Sequence, residues 1–497
     1  MRDRRRPDPA RPWWRDAVVY QVYPRSFQDS DGDGLGDLRG VTSRLGHLER
    51  LGVDALWLSP FYPSPDADLG YDVADFTAVD PRLGSLADFD ELVAEAHGRE
   101  LRVVLDLVPS HTSIEHPWFR AHPERYIWSD GGPANNWLAA FGGPAWSRDE
   151  RTGRWYLHSF YPEQPDLDWR NPEVRQAMGD VIRFWVRRGV DGFRVDAVDR
   201  LVKDARLRDD PPAETPFGLP LPEEYGGLDH VHSIDNPEIG IALEALRAAA
   251  GDALLIGEVY LPSARLSRYL EHLDLVFAFE FLHSPWDAGR LNEVIAAAVT
   301  LERVAWVLSN HDFPRLATRL GGGSARLAAL LLLTLPGAAF VYQGDEIGLA
   351  DGPGSDPPHD RAGRDAHRHP MQWTGQKGAG FSAGDPWLDP VDPSTRSVAA
   401  QERDPASLLN LYRRLIVLRS ELLGAPIQQV GAAPGLVAFR RGAHAVVLNL
   451  AAEARPLPLA GTVALSVGEP SRGGASEGER VQVGARLGAG CGVVVRA

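Results

Sequence analysis

The sequence predicts a (β/α)8 barrel with a subdomain inserted after its third strand and an antiparallel β domain at its C-terminus. Three observations carry that expectation. Eight short apolar or β-branched runs, at 18–22, 55–58, 102–107, 192–195, 253–257, 275–279, 305–308 and 339–342, are separated by longer segments, several of them helix-like (40–51, 87–99, 172–188, 324–335). Such alternation makes parallel βα units, and eight is the number that closes a barrel. An open doubly wound sheet would carry Gly-x-Gly-x-x-Gly after its first strand, and none follows 18–22. Finally, acids and histidines sit at the run ends, where a barrel places its active residues: Asp106 and His111, Asp196, Glu258, then His311 and Asp312.

Two intervals exceed what a single helix needs. Residues 108–169 are rich in Gly, Pro and Trp (Trp118, Trp128, Trp137, Trp146, Trp155) and read as the inserted subdomain. Residues 351–393 are dense in Gly, Pro and Asp and read as a long loop after the eighth strand. Loops of that length in compact proteins are usually functional or disordered. A helix over 407–423 then gives way to short alternating runs at 436–440, 444–450, 462–466, 481–483 and 492–495. The expected organisation is a barrel over 1–107 and 170–424, the insert over 108–169 and a C-terminal β-sandwich domain over 425–497.

Composition narrows the partners. Of 497 residues 44% are hydrophobic and 24% charged, an ordinary globular profile. The net charge of −16 argues against nucleic acid and against anionic membranes, while fitting a neutral substrate and tolerating a divalent cation. The lone Cys491 excludes intrachain disulfides. Arg2, Arg4, Arg5 and Arg6 open the chain without an apolar stretch behind them, so no secretory signal is expected. No run approaches the roughly 18 apolar residues of a membrane span, and a cytoplasmic location is expected.

The most telling stretch is Gly192-Phe193-Arg194-Val195-Asp196-Ala197. An arginine two residues before an aspartate puts both side chains on one face of a strand. A guanidinium beside a carboxylate keeps it ionised, as a nucleophile requires. Alone this could be a structural ion pair. Glu258 in Leu255-Ile256-Gly257-Glu258-Val259 and Asp312 in Ser309-Asn310-His311-Asp312 turn it into a carboxylate-lined pocket.

These residues resemble the α-amylase superfamily of glycoside hydrolases (family 13), in its α-glucosidase and oligo-1,6-glucosidase branch. The resemblance runs from Asp16–Phe27 through Gly70-Tyr71-Asp72, Asp106 to His111, Gln164-Pro165-Asp166-Leu167-Asp168, Gly192 to Asp196, Gly257-Glu258, Asn310-His311-Asp312 and Arg364 to Trp373. It implies Asp196 as nucleophile, Glu258 as general acid/base and Asp312 as transition-state stabiliser. The chemistry agrees: a retaining glycosidase pairs an ionised carboxylate with a protonated one, and an apolar strand beside other acids raises the carboxyl of Glu258. By the same resemblance Arg194, His111 and His311 bind the sugar at the cleavage point, although either histidine alone would read as a satisfied core residue. Asp72 and Arg368 are expected to grip the far edge of a terminal glucose, favouring exo action; a surface ion pair is the other reading of Arg368. Phe160 and Gln164 are expected to line the site, unless the aromatic is subdomain core.

The loop Asp29-Ser30-Asp31-Gly32-Asp33-Gly34-Leu35-Gly36-Asp37 resembles an EF-hand start, but Gly40 stands where the bidentate glutamate belongs. The family likeness implies a structural Ca2+ or Mg2+ held by Asp29, Asp31, Asp33, Asp37 and the Leu35 carbonyl. Ser110 replaces the usual asparagine, so a second metal is not expected. His369 and Phe313 depart from the family pattern and are expected to shape the entrance. Ala197, directly after the nucleophile, points to α-1,4 rather than α-1,6 linkages. The implied partner is a small oligosaccharide, acted on by a monomer or small homo-oligomer, with hydrolysis or glucosyl transfer as the outcome. An inactive transporter-associated relative is the non-enzymatic alternative; it would lose catalytic acids, and all three are present here.

Overall fold

The computed structural model describes residues 11–214, 224–431, 433–468 and 474–496, so the arginines at 2–6 lie outside the described residues. Eight parallel strands close into a barrel: β1 (Val18–Val22), β2 (Ala55–Leu58), β3 (Arg102–Leu107), then, after three short insert strands β4 (Trp128–Ser129), β5 (Trp146–Arg148) and β6 (Trp155–Leu157), β7 (Gly192–Val195), β8 (Leu254–Gly257), β9 (Leu275–Phe277), β10 (Val304–Val307) and β11 (Ala338–Tyr342). The ring order is β1-β11-β10-β9-β8-β7-β3-β2. Side chains alternate along each strand. In β1, Val18, Tyr20 and Val22 pack outward against the helices, whereas Val19 joins Trp57, Val104, Ile256, Phe277, Val307 and Phe340 inside the barrel. Gln21 points inward with them and is buried.

Element ends fall within two residues of expectation, and two of the larger shifts have local causes. The ninth strand stops at Phe277 because Phe279 opens a short helix, Phe279–His283. The first barrel helix, Leu38–Leu51, begins before residue 40 because the Asp37 side chain caps it, accepting from Gly40 N. Gly192 lets β7 and β8 meet closely: a Cβ there would lie 2.6 Å from Leu254 Cβ and 2.8 Å from its carbonyl oxygen.

The insert folds around Trp137, Ala145, Trp146 and Leu157 and carries the small sheet β4-β6-β5. Trp169 Nε1 donates to Pro109 O at 2.8 Å, and a bridge joins His111 to Asp166, so both ends of the insert are tied to the barrel mouth. The loop after β11 folds back across that mouth. Met371 N donates to Ser26 O at 2.7 Å and Trp373 Nε1 to Phe27 O at 2.9 Å, so the loop docks on the segment that follows β1.

Beyond the helix Leu408–Leu422 lie β12 (Ile427–Gln429), β13 (Leu436–Arg441), β14 (His444–Asn449), β15 (Arg455–Pro456), β16 (Gly461–Val467), β17 (Arg480–Val481), β18 (Arg486–Leu487) and β19 (Gly492–Arg496). Six of them form one antiparallel sheet in the order β12-β13-β14-β19-β16-β17, while β15 and β18 make a separate ribbon. One face of the sheet (Val437, Phe439, Val446, Leu448, Val494) merges with the barrel core, and the other (Leu436, Ala438, Val447, Val493) packs with Leu457 and Leu487 of the ribbon region. Among the described residues, the expected sandwich therefore has a second layer of two strands. The barrel helices supply the cover on the other side.

Candidate active site

The strand ladder fixes the acids. Register pairs Asp106 with Arg194, and Arg194 with Ile256. Just past the strand ends, Asp196 N donates to Leu107 O at 2.8 Å and Glu258 N to Val195 O at 2.9 Å, which anchors both backbones. Arg194 is fully buried beneath them, its guanidinium over the Trp57 ring. Its Nη1 reaches Asp106 Oδ1 at 2.7 Å and Asp196 Oδ1 at 2.5 Å; Nη2 reaches Glu258 Oε1 at 2.5 Å. One cation thus serves three carboxyls. Glu258 Oε2 also accepts from Ala197 N at 3.0 Å.

Charge within this cluster is unevenly distributed. Burial, with Asp196 and Asp312 nearby, pushes the Glu258 carboxyl up to about 8 despite Arg194. For Asp196 the sequence reading gave Arg194 the deciding influence. The structure corrects it: burial pushes the carboxyl above its ordinary range, Asp106 adds to the rise, and Arg194 only opposes it. Asp312 behaves in the opposite way. Burial would raise it, but His311, Arg364 and Arg368 more than offset that and hold it well below the usual carboxylate range. Since burial drives His311 itself down to about 3, the two arginines supply the charge that holds Asp312 ionised at neutral pH. Glu258 is the proton holder of the three acids, and Asp312 is the fixed anion.

A network of neutral groups lines the floor. Gln21 Nε2 donates to His311 Nδ1 at 2.8 Å, so the ring proton sits on Nε2, 2.7 Å from Tyr71 Oη. Tyr71 in turn donates to Asp106 Oδ2 at 3.0 Å and lies parallel to the His311 ring. His111 Nε2 contacts Gln164 Nε2 at 3.0 Å, its Nδ1 meets Ser110 Oγ at 2.8 Å, and Phe160 packs edge-on against the ring. Tyr71 stands in a motif noted in the sequence, yet its place between His311 and Asp106 depends on the loop path and not on spacing.

The far edge of the pocket differs from expectation. Asp72 does not face it. Its oxygens accept from Ser64 Oγ (2.6 Å), Ala67 N (2.9 Å) and Asp68 N (3.0 Å), so it braces its own loop. Asp68 takes the outward place, accepting from Gln164 Nε2 at 3.0 Å and pairing with Arg364. Arg364 Nη1 lies 3.0 Å from Asp312 Oδ1, and Arg368 Nη2 lies 3.4 Å from the same oxygen. Arg368 is fully buried, so it is no surface ion pair. Asp68 and Arg364 were missed; Arg364 stood in a quoted motif, but nothing in the sequence ranks it above its neighbours.

On the opposite side, Tyr260 accepts or donates a 2.8 Å hydrogen bond with His283 Nε2, and its ring lies parallel to Phe313 at a centroid distance of 6.4 Å. Phe313 thus does stand beside the acids. His369 does not: it is buried, with Nδ1 donating to Asp389 O at 2.5 Å.

In the acidic loop, Asp29, Asp31 and Asp37 each offer an oxygen within 4.8 Å of the others, while Asp33 Oδ1 accepts from Leu35 N at 2.8 Å. Asp29 is buried; burial raises its carboxyl, but Ser382 and the amides of Gly32, Gly34 and Asp31 outweigh that and keep it below the ordinary range. Convergent carboxylate oxygens on a tight turn suit a hard cation.

A barrel with three acids gathered at its strand ends suits glycoside hydrolysis, and comparison with known proteins identifies the family. The description "Alpha amylase, catalytic domain" matches residues 21–424. The chain belongs to the alpha-amylase family of glycoside hydrolases, family 13. It is 41% identical over 459 residues to a probable alpha-glucosidase of Rhizobium meliloti, covering 83% of each chain. It is 36% identical to an oligo-1,6-glucosidase of Parageobacillus thermoglucosidasius, covering 83% of this chain and 84% of that one. Among solved structures, the alpha-glucosyl transfer enzyme XgtA superposes with a TM-score of 0.88 at 38% identity, over 98% of this chain and 100% of that one. The trehalulose synthase MutB from Pseudomonas mesoacidophila gives 0.87 at 29% identity with the same coverage.

Proposed function

We propose that the protein is an exo-acting retaining α-glucosidase that removes the terminal non-reducing α-1,4-linked glucose from maltose and short maltooligosaccharides. The observation that supports this reading is Arg364 paired with both Asp68 and Asp312 beyond the acids, a closure that would admit only a chain end. Asp196 attacks the anomeric carbon while the protonated Glu258 gives its hydrogen to the leaving oxygen. Water then enters, Glu258 takes its proton, and the glucosyl–Asp196 ester breaks with the original anomeric configuration. Two carboxyls on adjacent nitrogens of one guanidinium fit this double displacement, since inversion needs about 6.5–9.5 Å between them to seat a water. Asp312, ionised throughout, opposes the positive charge of the oxocarbenium-like transition state. NMR of fresh maltose digests tests the reading: α-glucose released first is the expected result, and predominant β-glucose overturns retention.

A second reading is favoured by the half-buried Tyr260 and Phe313 on the leaving-group side. An apolar wall there would hold a sugar acceptor against water and divert the ester to glucosyl transfer, the chemistry named for one solved neighbour. Trehalose or another new disaccharide from maltose would establish it. For linkage we rely on Ala197; Ala197→Val should shift the ratio of isomaltose to maltose turnover upward, and an unchanged ratio would remove that argument. We further propose that Asp29, Asp31 and Asp37, joined by Asp33 and the Leu35 carbonyl, hold a structural Ca2+ or Mg2+ that pins the loop leading into Leu38–Leu51.

A further inference from the structure

Of the two arginines at the far edge of the pocket, Arg364 is itself held by a residue that takes no part in the reaction as described. Asp360 lies in the loop after β11 and is 1% exposed. Its Oδ2 accepts from Arg364 N at 2.7 Å and from Arg364 Nε at 2.8 Å, and its Oδ1 accepts from Arg364 Nη2 at 2.7 Å. The same Oδ1 stands 4.0 Å from Arg368 Nη1. Asp360 is in turn fixed from behind: its amide donates to Asp365 Oδ1 at 3.1 Å, and Asp365 Oδ2 accepts from His359 N at 2.8 Å and from Ser355 Oγ.

This grip determines how Arg364 can be used. A side-on carboxylate takes Nε and Nη2 together, the arrangement that orients a guanidinium in its own plane. With that edge taken, Nη1 is left to face Asp312, while Nη2 is shared with Asp68. Without Asp360, Arg364 and Arg368 would share Asp312 with one carboxylate fewer beside them, and a buried cation lacking its partner would move toward whichever acid remained. We infer that Asp360 is a positioning residue for sugar binding, acting through Arg364 to set the width and charge of the closed end of the pocket. The inference rests on the reading of that end as the seat of a terminal glucosyl ring.

A double-mutant cycle on p-nitrophenyl α-glucoside tests it, because that substrate requires only the terminal ring and not a particular linkage. Asp360→Asn should lower kcat/KM by about 10–100-fold, mainly through KM. Arg364→Gln should cost a comparable amount, and the double variant should be no worse than the weaker single, since Asp360 has nothing left to position. Losses that multiply, or a wild-type Asp360→Asn, would overturn the inference. Should Asp360→Asn fail to fold, Asp360→Glu carries the cycle: it keeps the charge but displaces the fork, so KM should rise about 3–10-fold in the native background and not in Arg364→Gln. An unchanged KM in the native background, or an equal rise in both, would count against it. Failure of the wild type on maltose with turnover of the aryl glucoside would sink the linkage reading and leave this cycle intact.

Discussion

At the scale of single residues, the site sorts its carboxyls by environment rather than by type. Glu258 is pushed up to about 8 by burial among acids, while Asp312 is held down by Arg364 and Arg368. The sign for activity follows directly. In the proposed mechanism the first step needs Glu258 protonated, so kcat/KM should fall as pH rises through about 8. It needs Asp196 ionised, so the acid limb should lie above the ordinary aspartate range, because burial raises that carboxyl. A kcat/KM profile on an aryl glucoside checks both limbs, and a basic limb below pH 6 would contradict the assignment of Glu258 as the acid. The same scale shows where sequence reading stops. Arg194 and Asp196 were legible because a strand has period two. Asp68 and Asp72 share one irregular loop, and which of them turns outward depends on Asp72 capturing the amides of residues 67 and 68. No periodicity encodes that choice.

Elements were more legible than loops, for the same physical reason. Apolar runs repeat on fixed periods, so all eight barrel strands were placed, with ends shifted by no more than two residues. The loop after β11 has no period, and its docking on Ser26 and Phe27 could not be foreseen. Two predictions belong here. Gly192→Ala would force β7 from β8, since the added carbon meets the Leu254 backbone at 2.8 Å. It should cost about 1–3 kcal/mol, seen as a lower Tm, with activity falling more than heat stability explains because Asp196 and Glu258 ride on those strands. Chelation by EDTA should lower Tm by about 2–4 °C, reversibly on adding Ca2+ or Mg2+, while kcat/KM at low temperature stays within about twofold. No Tm change on chelation would argue that the acidic loop stands without a metal.

At the scale of the whole molecule, the C-terminal sheet shares its core with the barrel. Gly492 lies against Leu327 and Leu330 of the helix Gly322–Thr334, where a Cβ would come within 2.8 Å of both side chains. The alternating runs predicted the sheet, but not that its inner face would be covered by barrel helices. The strands carry no mark of their partner. The fold is therefore expected to unfold as one unit, and the placement of Arg194 bears on how stable that unit is. Three carboxyls around a single guanidinium are more negative charge than a buried cluster would choose for itself. Glu258 binds its proton more tightly in the folded chain than in the unfolded one, so its contribution to stability is complete below about pH 4 and is lost as pH rises through about 8. Replacing it with an uncharged isostere removes that loss. Glu258→Gln should consequently melt about 1–4 °C above the wild type at neutral pH, with the gap widening as pH is raised from about 5 to about 8. A lower Tm would mean that the acid is a net support of the fold. A higher one would mark the catalytic cluster as a place where selection has accepted a weaker protein in return for a working one.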